Sequence, residues 1–169
     1  KFYMGKSLTM LLVIRLILSI QWIAFTAICG IIAGLLRPFN PNNATFAARL
    51  FQLGHHILGI KMSIRHREIL EQNRPCIFVS NHQSNLDIFV GSFSIPPRTV
   101  SMGKKSLIYI PFFGIFYWLS GNILIDRKNK KKAFGAMDEV VKAIKDKNIS
   151  VWIMPEGTRS KGLGLLPFK

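Results

Sequence analysis

The stretch IFVSNHQSNLD, residues 77–87, joins a predicted strand to two side chains that can move a proton. Its β-branched and aromatic start is typical of a buried strand. His82 follows directly, and Asp87 comes five residues later. If the histidine lies in a turn and a helix begins near Ser84 or Asn85, Asp87 can reach back to the imidazole. These residues are compatible with a general base and its orienting acid, and equally with a capped helix start.

Short apolar runs predict four strands, at residues 76–80, 99–102, 122–125 and 150–154. Between the last two, residues 130–147 carry apolar side chains at helical spacing, with lysines on the opposite face. Residues 107–119 contain Pro111 and Gly114 and predict a broken helix or a loop followed by a helix. The alternation of strands and helices predicts an α/β fold with a mostly parallel sheet and flanking helices.

An uncharged apolar run, residues 16–36, precedes the sheet. As a helix it would be about 31 Å long, which is close to the hydrocarbon thickness of a bilayer. It predicts a membrane helix; a buried core helix and a signal peptide are the alternatives. Basic residues flank both sides, so the orientation stays open and a helical hairpin is also compatible. Residues 38–43 predict a turn, and residues 44–60 a second helix suited to the membrane interface.

We divide the chain into a membrane-associated helical segment, residues 1–62, and an α/β domain, residues 63–169. The formal net charge of +15 indicates an anionic partner, such as nucleic acid, anionic lipid or a phosphorylated substrate. Cys29 and Cys76 are the two cysteines, so neither a disulfide framework nor a zinc site is expected.

A second polar segment, Glu156-Gly157-Thr158-Arg159, follows the fourth predicted strand. Because functional loops gather at the carboxyl ends of parallel strands, we expect it on the same edge of the sheet as His82. Arginine suits bidentate phosphate binding, and glycine permits close backbone approach. The segment therefore predicts a phosphate site; a structural turn in which Glu156 pairs with Arg159 is the alternative.

Two other basic side chains follow predicted strands. Arg127, after Asp126, is a second candidate for phosphate binding or a solvated strand end. Lys104 precedes the apolar residues 106–114, where it could stabilise a developing oxyanion or simply be surface charge. Residues 127–132 hold five basic residues in six and suit either solvent or anionic lipid headgroups.

Taken in order, these segments resemble the glycerolipid acyltransferases. His82 and Asp87 match the first motif of that family, H-x-x-x-x-D, and residues 156–160 match its third, EGTRS. Residues 121–127 match its second motif. Residues 104–114 are similar to its K-x-E-L-x-x-x-P-x-x-G segment, with serine at position 106 in place of the usual glutamate. The resemblance covers residues 74–169, and the family has a further proline-containing motif downstream, so we expect an incomplete C-terminal part.

The resemblance implies transfer of a fatty acyl group from acyl-CoA or acyl-carrier protein to the sn-2 hydroxyl of 1-acylglycerol-3-phosphate, giving phosphatidic acid. His82 would be the general base and Asp87 its partner. Arg159, with Arg127 as a second candidate, would hold the phosphate. Glu156, Gly157 and Thr158 would complete that site, and Lys104 would lie near the acyl carbonyl.

The same resemblance implies no metal and no resident cofactor, and it implies membrane lipids as partners but no nucleic acid. It also implies the bacterial inner membrane, with the active site on the cytoplasmic side. Glycerol-3-phosphate or another lysolipid is the alternative acceptor. A non-enzymatic, membrane-anchored basic binding protein is a remote alternative, because residues 127–132 lack the aromatic side chains that stack on nucleic-acid bases.

Overall fold

The computed structural model describes residues 6–72, 74–126 and 130–169. The helices in these ranges are α1 Lys6–Leu36, α2 Pro41–Leu58, α3 Arg67–Glu71, α4 Asp87–Val90, α5 Phe113–Leu119 and α6 Lys130–Lys147. The strands are β1 Ile77–Val79, β2 Thr99–Lys104, β3 Ile123–Ile125 and β4 Ser150–Ile153. Short 3-10 helices lie at Gly91–Ser94 and Lys105–Tyr109.

The strands in the described residues form one parallel sheet in the order β1-β4-β2-β3. This confirms the predicted α/β class. Each strand lies within two residues of its predicted limits, and β2 continues to Lys104. Since β1 and β4 are neighbours, the loops that follow their carboxyl ends lie side by side. We call this side of the sheet the carboxyl edge.

One face of the sheet is covered by α6. Val140 and Ile144 of this helix join a hydrophobic cluster with Val100 and Val151 of the sheet. Val151 is completely buried. Val140, Ala143 and Ile144 thus form an apolar face, whereas Met137 and Val141 are exposed. Lys142, Lys145 and Lys147 lie outside the core.

A second hydrophobic cluster joins the N-terminal helices to α5. Its buried members are Ala27, Ala47, Phe51, Phe116 and Tyr117. Helices on both sides of the division at residue 62 thus share one core. The division into two domains stays a prediction.

The outer side of α1 is apolar and exposed. Ser7–Leu36 is long and apolar enough to cross a bilayer, and it is the one such helix in the described residues. Its 30 residues correspond to about 45 Å of helix. Exposed side chains recur along one stripe, at Phe25, Ile28, Ile32 and Leu35. This exposure disfavours a buried core helix.

The inner side of α1 touches α5 directly at two glycines. A Cβ on Gly30 would collide with the ring of Phe116, and one on Gly34 would lie 2.7 Å from the Cβ of Leu119. The two helices therefore approach more closely than larger residues would allow. Arg15, the single charge in residues 7–36, lies against Gly59 at the carboxyl end of α2, where a cation complements the helix dipole.

The second helix begins earlier than its apolar pattern predicts. We expected residues 44–60, whereas α2 spans Pro41–Leu58. Asn40 caps the helix, because its side chain accepts a hydrogen bond of 2.9 Å from the backbone N–H of Asn42. Pro41 occupies the first turn, where a missing N–H has no consequence. The proline that suggests a turn thus starts a helix.

Candidate active site

His82 lies in the loop that follows β1 at the carboxyl edge. The backbone N–H of Ser80 still bonds the carbonyl of Ile153, 3.1 Å away, and the chain then leaves the sheet. Its next helix, α4, starts only at Asp87. The loop thus has four residues between the histidine and the carboxylate in which to turn back on itself.

The carboxylate of Asp87 organises this loop. One oxygen, Oδ2, lies 2.6 Å from Nδ1 of His82 and accepts backbone N–H bonds from Gln83 at 2.8 Å and Ser84 at 3.1 Å. The predicted contact between His82 and Asp87 is therefore present. The helix begins later than expected because the carboxylate holds Gln83 and Ser84 in a turn.

This geometry equips His82 to accept a proton. With Nδ1 donating to Asp87, Nε2 is the ring nitrogen left with a lone pair. The carboxylate would also stabilise the imidazolium that forms when Nε2 takes a proton. The His82 and Asp87 side chains are 21% and 16% exposed, so the pair is sheltered yet reachable from solvent.

Glu156 lies beside this loop but does not face solvent. Its side chain is completely buried. Oε1 accepts a 2.7 Å hydrogen bond from the backbone N–H of His82, and Oε2 accepts one of 2.9 Å from Leu166. Glu156 therefore links its own loop to the backbone of His82 in the loop after β1 and to the backbone of Leu166, ten residues farther along the chain. It does not pair with Arg159 in this structure.

Further hydrogen bonds fasten the same two loops together. The backbone N–H of Ser160 donates to the carbonyl of His82 at 2.8 Å, and that of Lys161 donates to the carbonyl of Gln83 at 2.9 Å. The Ser160 hydroxyl donates to the side-chain oxygen of Gln83 at 3.1 Å. Sequence reasoning missed Gln83 and the positions of these bonds. Ser160 belongs to the EGTRS motif, but the sequence does not show its contact with Gln83.

The tip of the loop after β4 is open to solvent. Gly157 has φ +64° and donates its N–H to Met154 at 3.0 Å, which turns the chain sharply. Thr158 and Arg159 are both exposed. Since Ser160 bonds the backbone of His82, Arg159 is one residue from that contact. The structure thus brings the predicted phosphate-binding arginine and the histidine to neighbouring loops.

Of the other two predicted basic residues, Lys104 lies farther along the carboxyl edge. Lys104 is exposed at the end of β2, two strands away from β1, which is about 10 Å at normal strand spacing. Asp126 directly follows β3 and is half-buried. Arg127 lies outside the described residues.

The described residues contain no group of three histidine, cysteine, aspartate or glutamate side chains that could hold a metal ion. The two cysteines, Cys29 and Cys76, are unpaired thiols. The expectation that no resident cofactor is needed stays a prediction.

This protein is an α/β protein whose parallel sheet carries, at its carboxyl edge, a histidine and aspartate pair suited to accepting a proton. Residues 61–169 match the family model described as Acyltransferase. The chain belongs to the acyltransferase family.

Several relatives of the chain are named as 1-acyl-sn-glycerol-3-phosphate acyltransferases. The chain is 42% identical to the 1-acyl-sn-glycerol-3-phosphate acyltransferase of Haemophilus influenzae over 95% of its own length and 67% of that protein. It is 43% identical to the Escherichia coli protein of the same name, again over 95% of this chain and 65% of the relative. The human alpha form is 33% identical over 88% of this chain and 52% of its own length.

The fold is also found in a solved structure. The crystal structure of the 1-acyl-sn-glycerophosphate acyltransferase from Thermotoga maritima superposes with a TM-score of 0.69 at 19% identity, covering 95% of this chain and 65% of that one. This likeness concerns the fold. The chain spans about two thirds of the length of the bacterial relatives it matches.

Proposed function

We propose that this protein transfers a fatty acyl group to the sn-2 hydroxyl of 1-acyl-sn-glycerol-3-phosphate and so makes phosphatidic acid. The observation that carries the proposal is the contact between His82 and Asp87, 2.6 Å long and located at the carboxyl edge. The relatives suggest the acceptor, because each is a 1-acyl-sn-glycerol-3-phosphate acyltransferase by name.

The proposed reaction needs no covalent acyl-enzyme. Nε2 of His82 takes the proton from the acceptor hydroxyl while the hydroxyl oxygen bonds to the thioester carbonyl carbon. The resulting tetrahedral intermediate collapses, and the carbon–sulfur bond breaks. The imidazolium returns its proton to the leaving thiolate. The products are an ester and a free thiol, and His82 regains its starting state.

The loop after β4 would bind the phosphate of the acceptor. Arg159 is exposed and adjacent to Ser160, which bonds the backbone of His82. A guanidinium there would pair with the phosphate while the hydroxyl lies at His82. We propose Thr158 as a hydrogen-bond donor, Gly157 as the residue that shapes the turn, and Arg127 as a second cation.

The remaining roles follow from position. Lys104, at the end of β2, would stabilise the negative charge that develops on the carbonyl oxygen. Glu156 would shape the phosphate site indirectly, because its carboxylate is buried and bonded to the backbone of His82 and Leu166. It would thus fix the loops that carry the other groups.

The proposed substrates agree with the exterior of the molecule. An amphiphilic acceptor stays in the membrane, and α1 presents an exposed apolar stripe that suits lipid contact. The net charge of +15 favours anionic lipids and a phosphorylated acceptor. We propose the cytoplasmic side of the bacterial inner membrane, where acyl-CoA or acyl-carrier protein is available as the acyl donor.

An acyl-transfer assay with the full-length protein tests the proposal. Lysophosphatidic acid and glycerol-3-phosphate are offered side by side, each with acyl-CoA and with acyl-carrier protein, and the His82→Ala variant serves as the blank. We expect phosphatidic acid from lysophosphatidic acid as the faster product. Preference for glycerol-3-phosphate would contradict the proposed acceptor. Absence of transfer to either acceptor would contradict the proposed acyl-transfer activity.

A further inference from the structure

A second exposed apolar surface lies beside the carboxyl edge, on the segment that follows β2. Its members are Ile108, Tyr109, Ile110, Phe112, Ile115 and Trp118, which we call the 108–118 surface. Each of these side chains is at least 39% exposed, and Tyr109 reaches 80%. Single exposed apolar residues are ordinary, but a contiguous set of large ones indicates a contact surface.

A rigid turn holds this surface in place. The N–H of Phe113 bonds the carbonyl of Pro111 at 2.6 Å, which closes a γ-turn around Phe112 with φ +59° and ψ −50°. This form of the γ-turn is rare and strained. The N–H of Gly114 bonds Ile110 at 2.8 Å, and a Cβ on Gly114 would collide with the carbonyl of Ile108. The turn is therefore tightly closed.

The turn places a phenylalanine where glycine would be less strained. A bulky residue with positive φ is energetically unfavourable, and the ring of Phe112 is also 54% exposed. Neither feature stabilises the folded chain in water. Transfer of the ring to an apolar environment would be favourable and would offset the energetic cost of both features.

The 108–118 surface is connected to the carboxyl end of α1. Phe116 and Leu119 of α5 pack on Gly30 and Gly34 of that helix. The ring of Phe39, just after α1, makes an edge-to-face contact with Trp118 at 5.1 Å between centroids. Phe39 is itself 52% exposed, so the 108–118 surface extends to exposed apolar residues at the carboxyl end of α1.

Charges at the rim favour an anionic lipid surface. Lys104 and Lys105 are exposed immediately before the 108–118 surface. No acidic residue occurs between Asp87 and Asp126. An apolar patch preceded by two lysines, in a stretch of sequence without acids, matches the boundary between acyl chains and anionic headgroups.

We propose that the 108–118 surface inserts into an anionic phospholipid bilayer and forms a second membrane contact next to the active site. Tyr109 and Phe112 enter the lipid beside Lys104, while α1 makes the first contact. The contact does not depend on turnover. It can therefore hold or fail separately from the proposed acyl transfer.

Tryptophan quenching tests this contact. The full-length protein is placed in vesicles of phosphatidylethanolamine and phosphatidylglycerol, with part of the acyl chains brominated. Tyr109→Trp adds a probe to the surface, and Trp118→Phe removes the native one. Val141→Trp is the matched control, since Val141 is similarly exposed on α6, which covers the sheet.

Brominated lipid should quench the emission added by Tyr109→Trp, and Trp118→Phe should reduce the quenchable emission of the parent. Of the two added tryptophans, aqueous iodide should quench the one at position 141 and not the one at position 109. Quenching at position 109 by iodide but not by lipid would overturn the proposal. Protection at 109 from both quenchers, with dependence on protein concentration, would also overturn it and indicate a second copy of the chain.

Discussion

Two adjacent loops at the carboxyl edge differ in how firmly the fold holds them. The loop that carries His82 is fastened by Asp87, by the buried Glu156 and by the backbone of Ser160. The tip that carries Thr158 and Arg159 is exposed. In the proposed reaction, the group that moves a proton is therefore positioned in advance, whereas the groups that meet the phosphate can adjust to it.

The largest expected effect comes from removing the fixed base. His82→Ala should lower kcat by about a thousandfold, which is within the range for loss of a general base. Steady-state kinetics with lysophosphatidic acid measures it. Membrane association should be unchanged, because α1 does not depend on the imidazole. His66→Ala, at an exposed histidine paired with Glu68, is the control and should retain full activity. Substantial turnover by His82→Ala would refute the mechanism.

A smaller effect is expected from the residue that orients the base. Asp87→Asn keeps the shape of the side chain but replaces the charge that stabilises the imidazolium, so kcat should fall about a hundredfold. The KM for the acceptor should change much less, and kinetics at varied acceptor concentration separates the two. Asp146→Asn, at an exposed acid of α6, is the control. A loss confined to acceptor binding would contradict the orienting role.

The exposed tip should affect binding more than chemistry. Arg159→Ala should raise the KM for lysophosphatidic acid about thirtyfold, since a charge-assisted hydrogen bond contributes roughly 1.5–3 kcal/mol. Arg159→Lys should recover part of this loss, because lysine keeps the charge but not the bidentate geometry. Lys161→Ala removes a neighbouring exposed cation and should change little. If only the acyl-donor kinetics responded, Arg159 would not bind the phosphate.

The smallest kinetic change is expected at the buried link between the loops. Glu156→Gln turns one acceptor oxygen into an amide donor that faces a backbone N–H, so the free energy of unfolding should fall by about 1–3 kcal/mol. The kcat should fall about tenfold through displacement of His82, with the acceptor KM nearly constant. Glu68→Gln, at an exposed carboxylate, is the control for both denaturation and kinetics. A rise in KM at unchanged kcat would instead indicate direct phosphate contact by Glu156.

Local pattern predicts much of this fold. The strands and α6 follow from apolar runs and helical spacing, which are properties of neighbouring residues. The errors occur where a single polar side chain decides a boundary. Asn40 caps α2 at Pro41, three residues before the apolar pattern begins, and Asp87 delays the start of α4 by drawing Gln83 and Ser84 into a turn.

The candidate site is predictable only in part, for a physical reason. His82, Asp87 and Arg159 have side chains whose chemistry is visible in the sequence. The bond from Glu156 to the backbone of His82 joins residues 74 positions apart. It depends on β1 and β4 being neighbours in the sheet, which spacing along the chain does not reveal. Ser160 and Gln83 meet for the same reason.

The contact of Gly30 and Gly34 with α5 has a consequence for where the reaction takes place. Pairs of glycines four residues apart often join separate membrane helices, but here both are used within one chain. The apolar helix therefore packs directly on the part of the chain that carries the candidate site. The height of His82 relative to the bilayer is then set by helix packing. The proposed lysolipid acceptor carries its free hydroxyl near the headgroup, so this packing can bring His82 to the acceptor without lifting the substrate into water.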